Sequence, residues 1–250
     1  MRLKDRVAIV TGGGRDIGRS VSVKLAREGA KVVVNYYSSE SEAQETLKEI
    51  KDNGGEAILV QGDMTKSTDV ERLLQETRNA FGDEVHTLVN VVGGLVARKT
   101  LDEMDEDFFN GLMQLNVTSV FLSMKAFVPL MKSGASVINF SSLAGRDGGG
   151  AGASVYAASK GAVTTFTRGM AKELGPKGIR VNALCPGLIS TTFHDTFSNA
   201  EGRSKVAGST PLRREGHPDE VADVVAYLAS DESSFLTGVN LDVNGGLFFS

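Results

Sequence analysis

Two periodicities alternate along the chain. Short runs rich in Val, Ile and Ala are separated by longer segments whose apolar residues recur at helical spacing, and this alternation predicts repeated β-α units. Residues 7–11 read as a first strand, 16–29 as a helix stopped by Gly29, 31–35 as a second strand and 39–53 as a polar helix closed by Gly54 and Gly55. Residues 57–61 and 87–91 continue the sheet, with a helix over 67–81 between them. A long helical region covers 105–132, followed by a strand at 136–141, a helix at 154–174 and a strand at 179–184. Residues 186–216 read as loop, 218–230 as helix and 239–243 as the last strand. Strands joined through helices run parallel and are covered on both faces.

The expected fold class is therefore α/β: a single-domain, doubly wound Rossmann fold over residues 1–250, with a mainly parallel seven-stranded sheet and helices on both faces. The length allows one such domain and no second of comparable size. Its nucleotide half would cover about 1–95 and its catalytic and substrate half about 96–250. The net charge of −4, with Lys and Arg scattered among acids, speaks against a nucleic-acid partner, which needs a clustered basic face. Cys185 is the only cysteine, so no intrachain disulfide forms. A reducing, cytoplasmic setting is expected, with Cys185 acting as a small buried hydrophobe beside Pro186. The charged start leads straight into a strand, so no signal peptide is expected, and no apolar stretch is read as long enough to span a membrane. Leu247, Phe248 and Phe249 are apolar enough to need burial against something.

The first strand runs into T-G-G-G-R-D-I-G at Thr11, which opens directly into a helix. Glycines there permit a tight turn and let helix N-terminal N–H groups meet a pyrophosphate, which predicts dinucleotide binding; a structural turn is the plainer alternative. After the second strand stand Asn35, Tyr36, Tyr37, Ser38 and Ser39, with no acid before Glu40. An acid in that place would hold the free ribose 2′-hydroxyl of NAD, and Arg15 suits a 2′-phosphate, so NADP(H) is favoured over NAD(H). Arg15 also fits a solvated surface cation. Asp63, just beyond the third strand, is placed either to accept from the adenine amino group or to form a strand-end turn.

Tyr156 and Lys160 lie four residues apart on a predicted helix, so both side chains occupy one face. Ser142 ends the fifth strand, where parallel sheets bind ligands, and Asn116 sits inside a helix that Asn does not favour. Lowering a phenol from its usual pKa to about 7 needs roughly 4 kcal/mol. A Lys cation about 4 Å away, at an effective dielectric of about 20, supplies about that much, while burial of the phenol works against it.

Together these stretches resemble the short-chain dehydrogenase/reductase family over essentially the whole chain, and within it the 3-oxoacyl-[acyl-carrier-protein] reductases and related carbonyl reductases. The similar segments are the Thr11 turn, N-V-V-G at Asn90, Asn116, S-S-L-A-G at Ser141, Y-A-A-S-K at Tyr156, P-G-L-I-S-T at Pro186, the run from Arg213 to Ala222, and N-G-G at Asn244. The resemblance implies a catalytic tetrad of Asn116, Ser142, Tyr156 and Lys160. Lys160 would hold the nicotinamide ribose, and Asn116 would keep a helix backbone open for a water in a proton relay. The cofactor set it implies is Gly12, Arg15, Ile17, Gly18, Tyr36, Tyr37, Ser38, Asp63, Met64, Asn90, Tyr156, Lys160, Pro186, Gly187, Ile189 and Thr191, with Ile189 and Thr191 at the carboxamide and Asn90 on the adenosine side. It also implies a homotetramer. The expected activity is hydride transfer between NADP(H) and a ketone or secondary alcohol, either a 3-oxoacyl thioester or a small carbonyl compound.

Two positions depart from the family pattern. Asp16 replaces a motif glycine, where it can pair with Arg15 or Arg19, cap the helix, or weaken cofactor binding. Val91 and Val92 are bulkier than the usual residues. Lys132, Arg146, Lys177 and Arg180 are too scattered to form an obvious docking face for an acidic acyl carrier, so a small free substrate is at least as well supported. Residues 148–152 suit a pocket wall or a surface loop, and 192–197, with Phe193, His194 and Phe197, a lid. His194 is expected to be a solvated loop residue, His86 and His217 to be structural, and no metal-ligand cluster is seen. A catalytically silent dinucleotide sensor is the competing class, against which Tyr156 and Lys160 together speak.

Overall fold

A computed structural model describes residues 1–198 and 200–249. Asn199, inside the stretch expected to be loop, and Ser250, the end of the expected domain, lie outside the described residues. In chain order the elements are β1 (Val7–Thr11), α1 (Asp16–Arg27), β2 (Lys31–Tyr36), α2 (Glu40–Asp52), β3 (Glu56–Gln61), α3 (Ser67–Phe81) and β4 (Thr87–Asn90). There follow α4 (Glu106–Met113), α5 (Ser119–Phe127), β5 (Ser136–Phe140), α6 (Ala144–Asp147), α7 (Ser154–Leu174), β6 (Arg180–Pro186), α8 (Thr192–Phe197), α9 (Ala200–Ser209), α10 (Pro218–Ala229) and β7 (Asn240–Val243).

The seven strands form one sheet in the order β3-β2-β1-β4-β5-β6-β7, and every neighbouring pair is parallel. The doubly wound fold expected from the alternating pattern is the one observed. Side-chain alternation along β1 divides the core. Ala8 and Val10 join Val21 and Leu25 of α1 and Val221 and Val225 of α10 on one face. Val7 and Ile9 join Leu73 of α3, Phe127 of α5 and Val163 of α7 on the other. Cys185 is buried as expected. His86 accepts the Val7 N–H at Nδ1, and His217 caps α10 by accepting the Asp219 N–H.

The chain departs from its pattern in three places. The long helix is interrupted by a π turn at Gln114–Thr118, where the Asn116 amide takes the Leu112 carbonyl and the Ser119 hydroxyl takes that of Leu115. The helix Glu106–Leu130 is, by length and mean hydropathy, long and apolar enough to cross a membrane, contrary to the sequence reading. Its inner stripe (Val120, Met124, Phe127) packs into the core, as a core helix does, while Phe109 and Phe121 stay exposed. The stretch expected to be loop carries α8 and α9, neither with a buried side chain, so no apolar periodicity announced them. Finally, β6 reaches Pro186 because Pro186 pairs with Val243 of β7.

At the carboxyl end of β1, Gly18 lies so close to the turn that a Cβ there would press onto the Gly12 carbonyl oxygen, which is backbone and cannot swing aside. Gly18→Ala is therefore expected to cost about 3 kcal/mol in urea unfolding, the upper range for overpacking. The control is Gly169→Ala on α7, where a Cβ meets nothing within 4 Å. That change should stabilise by up to about 1 kcal/mol through helix propensity alone.

Candidate active site

A cleft of about 1140 Å³ opens over the carboxyl ends of the central strands. Asn35 builds one wall: its side-chain oxygen accepts from Gly12 N, and its amide donates to the Val60 and Gly62 carbonyls. Thr46 and Ser22 take the Gly14 and Gly13 carbonyls, so the glycine turn is held from three sides. No side chain caps α1, which leaves N–H groups of its first turn available at the cleft.

Of the residues expected at the cofactor, Gly12, Arg15, Ile17, Gly18, Tyr36, Tyr37, Ser38, Pro186, Gly187, Ile189 and Thr191 line this cleft together with Ser142, Tyr156 and Lys160. Asp63, Met64 and Asn90 lie outside the lining. Asp63 Oδ1 accepts from the Thr65 N–H and hydroxyl in a strand-end turn, Met64 is 2% exposed, and Asn90 donates to Asn139 Oδ1 in the core.

At the other end, Tyr156 stands in the first turn of α7 and Lys160 one turn on, its Nζ donating to the Phe140 carbonyl at 2.8 Å and lying 5.9 Å from the Tyr156 ring centroid. The Ser141 hydroxyl takes the Lys160 carbonyl, which docks α7 against the end of β5. Ser142 Oγ accepts the Ala144 N–H and hydrogen-bonds the Tyr156 phenol. Asn116 lies behind them, completely buried. Its amide donates to the Gly94 carbonyl and its oxygen accepts the Gly94 N–H, clamping the loop after β4.

Burial pushes the Tyr156 phenol above its usual value, and the bond with Ser142 opposes that rise. Burial, expected to work against the pull of Lys160, is the larger influence on the phenol here. Burial also pushes the Lys160 ammonium down to about 8, because the residue is 3% exposed and its Nζ finds one acceptor. An ammonium has three donors, so the site has N–H capacity left for a sugar hydroxyl. With the uncapped helix start and a volume above that of a drug-sized pocket, these features fit an extended dinucleotide plus a small substrate.

Helix α8 lies across the mouth, with Phe193 6.2 Å from the Tyr156 ring and Phe197 5.1 Å from Phe193. Arg98 donates to the Ala151 and Phe197 carbonyls and so ties two loops of the rim to the end of α8. His194, expected to be solvated, is half-buried against Phe193 with Nδ1 at Ser198 Oγ, and burial followed by the nearby Arg203 lowers its pKa. Asp16 neither pairs with Arg19, which binds Glu45 and Glu49, nor caps α1. Its carboxylate sits 3.9 Å from Arg15 and takes both donors of Thr192. Thr192 and Arg98 carried no signal in the sequence, since their partners lie far away in the chain.

Known proteins resemble the chain in sequence and fold. The family model described as enoyl-(acyl carrier protein) reductase matches residues 12–248. A 3-oxoacyl-[acyl-carrier-protein] reductase of Synechocystis is 40% identical, covering 98% of each chain, and an uncharacterised oxidoreductase of Bacillus subtilis is 36% identical over all of this chain and 86% of its own. A short-chain dehydrogenase/reductase of Serratia marcescens superposes with a TM-score of 0.93 at 30% identity, covering 98% and 99% of the two chains. The chain belongs to the short-chain dehydrogenase/reductase family of nicotinamide-dependent oxidoreductases.

Gly93 follows β4 where the cleft is narrowest. A Cβ there would stand 2.6 Å from Asn116 Oδ1 and 2.7 Å from Lys160 Nζ. Both are ends of side chains that can give way, but Gly93 has φ at 159°, which a residue with a Cβ rarely adopts, so Gly93→Ala should fold with a lowered melting temperature and displace two site atoms. A shift of about 1 Å at a reacting centre costs on the order of a hundredfold, and turnover should fall by about that much. Wild-type turnover in Gly93→Ala would show that the close approach has no part in the chemistry.

Proposed function

We propose that this enzyme transfers hydride between NADP(H) and a ketone or secondary alcohol, with Asn116, Ser142, Tyr156 and Lys160 as its catalytic residues. The observation that carries the reading is the convergence of Ser142, Tyr156 and Lys160 in the same cleft as the glycine turn. The bound nicotinamide supplies or accepts the hydride. In reduction, Tyr156 Oη gives its proton to the carbonyl oxygen, and the Ser142 hydroxyl holds that oxygen as negative charge develops. Lys160 binds the ribose and stabilises the phenolate left behind, while Asn116 positions the Gly94 backbone beside them. The turn after β1, the residues after β2 and the Pro186–Thr191 stretch bind the rest of the cofactor; Asp63, Met64 and Asn90 are the adenosine-side candidates.

For the substrate we favour a small free carbonyl compound, because Leu95, Leu143, Phe193, Phe197 and Val206 make the lid end apolar. A 3-oxoacyl thioester on an acyl carrier is the second reading, favoured by the Synechocystis relative. The single cysteine supports a cytoplasmic setting. The exposed Phe109, Phe121 and Phe249 support a homotetramer built on the long helix and the chain end. Assays with NADPH against β-ketoesters, diketones, quinones and an acyl-carrier thioester, followed by nicotinamide absorbance, test the activity and separate the substrates.

Tyr156→Phe should retain cofactor affinity and lose at least about a hundredfold in turnover; more than a tenth of the activity remaining would remove Tyr156 from its role. Lys160→Ala should also raise the cofactor dissociation constant. On this reading Tyr156 and Lys160, one helix turn apart in one cleft, exchange protons as a pair. Reduction needs the fully protonated pair and should fall as pH rises through the Lys160 value of about 8, whereas oxidation needs the pair one proton short and should rise across the same range. Parallel profiles in the two directions would contradict this.

Cofactor choice rests on the missing acid after β2 and on Arg15, whose side chain is 54% exposed and lies 3.3 Å from the Thr192 hydroxyl and 3.9 Å from the Asp16 carboxylate. Arg15→Ala should cost roughly 1.5–3 kcal/mol with NADPH and far less with NADH. Tyr36→Asp should push the preference further toward NADH. Equal losses with both cofactors in steady-state kinetics would overturn the NADP assignment alone.

A further inference from the structure

Asp16 occupies the glycine turn with φ at 50°, a left-handed conformation that side chains rarely adopt. Strain of this kind persists where the surroundings hold it in place and is found at functional sites. The carboxylate does not serve its own helix, which has no side-chain cap. It reaches a residue 176 positions away: Thr192 N donates to Oδ1 at 3.0 Å, and the Thr192 hydroxyl donates to Oδ2 at 2.6 Å. Arg15 Nη1 adds a longer bond to the same hydroxyl at 3.3 Å. Charge-assisted bonds from one carboxylate to two donors of one residue fix orientation as well as contact.

Thr192 opens α8, the helix that carries Phe193 over Tyr156. The opposite end of α8 is fastened by Arg98, through the Phe197 carbonyl. Asp16 and Thr192 both line the cleft, one from the turn that faces a dinucleotide phosphate and one from the lid. The lid cannot swing outward at its first residue without breaking both carboxylate bonds.

We propose that Asp16 is a positioning residue that latches α8 to the glycine turn, holds the lid closed and sets the rate at which the cofactor leaves. The effect on cofactor release rests on the nicotinamide reading above; the latch itself does not. Asp16→Gly relieves the left-handed strain and removes the latch. Asp16→Asn removes the charge but keeps the latch, because an amide oxygen still accepts the Thr192 N–H and the amide N–H can donate to its hydroxyl. Thr192→Val removes the hydroxyl, and with it one of the two carboxylate bonds and the longer Arg15 bond.

Displacement of bound NADPH, followed by nicotinamide fluorescence in stopped flow, reads the dissociation rate. Asp16→Gly should speed release by about tenfold and Thr192→Val by about threefold, while the double variant should release no faster than Asp16→Gly because both act through one contact. Asp16→Asn should stay within about twofold of wild type or be slower, since removing a negative charge near phosphate favours binding. Equal changes in Asp16→Gly and Asp16→Asn, or additive effects in the double variant, would overturn the latch and leave only a charge effect. Trypsin cleavage at Arg203 and Lys205 in the cofactor-free protein provides a readout independent of binding, and it should be faster in Asp16→Gly than in wild type and Asp16→Asn. If no nicotinamide nucleotide binds, the functional reading fails while the cleavage comparison still stands; unchanged cleavage in Asp16→Gly overturns the latch.

Discussion

The buried ammonium of Lys160 is the contact on which the rest of the site depends. It is held by the Phe140 carbonyl at the end of β5, it lies 5.9 Å from the Tyr156 ring centroid, and it occupies the place a Cβ on Gly93 would approach. A cation in so dry a place is tolerated because it has a carbonyl to donate to and because the site can shed its proton at an ordinary pH, as the fall to about 8 reflects. The close packing follows from that. Helix α7 is pinned to β5 through Ser141, and the loop after β4 is clamped by Asn116, so three separate elements converge within hydrogen-bonding distance of one another.

The same economy of contacts explains why the fold keeps an irregular helix. At the π turn the Asn116 side chain holds both the Gly94 backbone and the Leu112 carbonyl. At the nucleotide end, Asn35 plays a comparable part, tying the glycine turn to β3 from inside the sheet. Both asparagines are buried and well bonded, and each builds the site by holding backbone in place.

Much of this was legible in the sequence because it is local or periodic. The β-α alternation announces the doubly wound sheet, the glycine turn between β1 and α1 announces a phosphate cradle, and the four-residue spacing places Tyr156 and Lys160 on one helix face. Ser142 was legible from its place at a strand end, and the long helix from its apolar stripe. The break in that helix was announced by Asn116 alone, since a π turn shifts backbone bonds to i→i+5 and leaves the apolar stripe on either side in place.

What the sequence determined by itself is therefore the order of elements, the faces they bury and the residues that stand at the carboxyl ends of strands, because these follow from periodicities of two and 3.6 residues and from turn chemistry. Only the tertiary structure decided which distant groups meet. Asp16 has several plausible neighbours along the chain and takes none of them as its main partner; it bonds Thr192, and the φ of 50° is sustained by that environment. Helices α8 and α9 bury no side chain, so nothing periodic marks them, and α8 is held by contacts to Asp16, Arg98 and Tyr156. The Lys160 proton likewise depends on burial, which belongs to the packed molecule and to no segment of it.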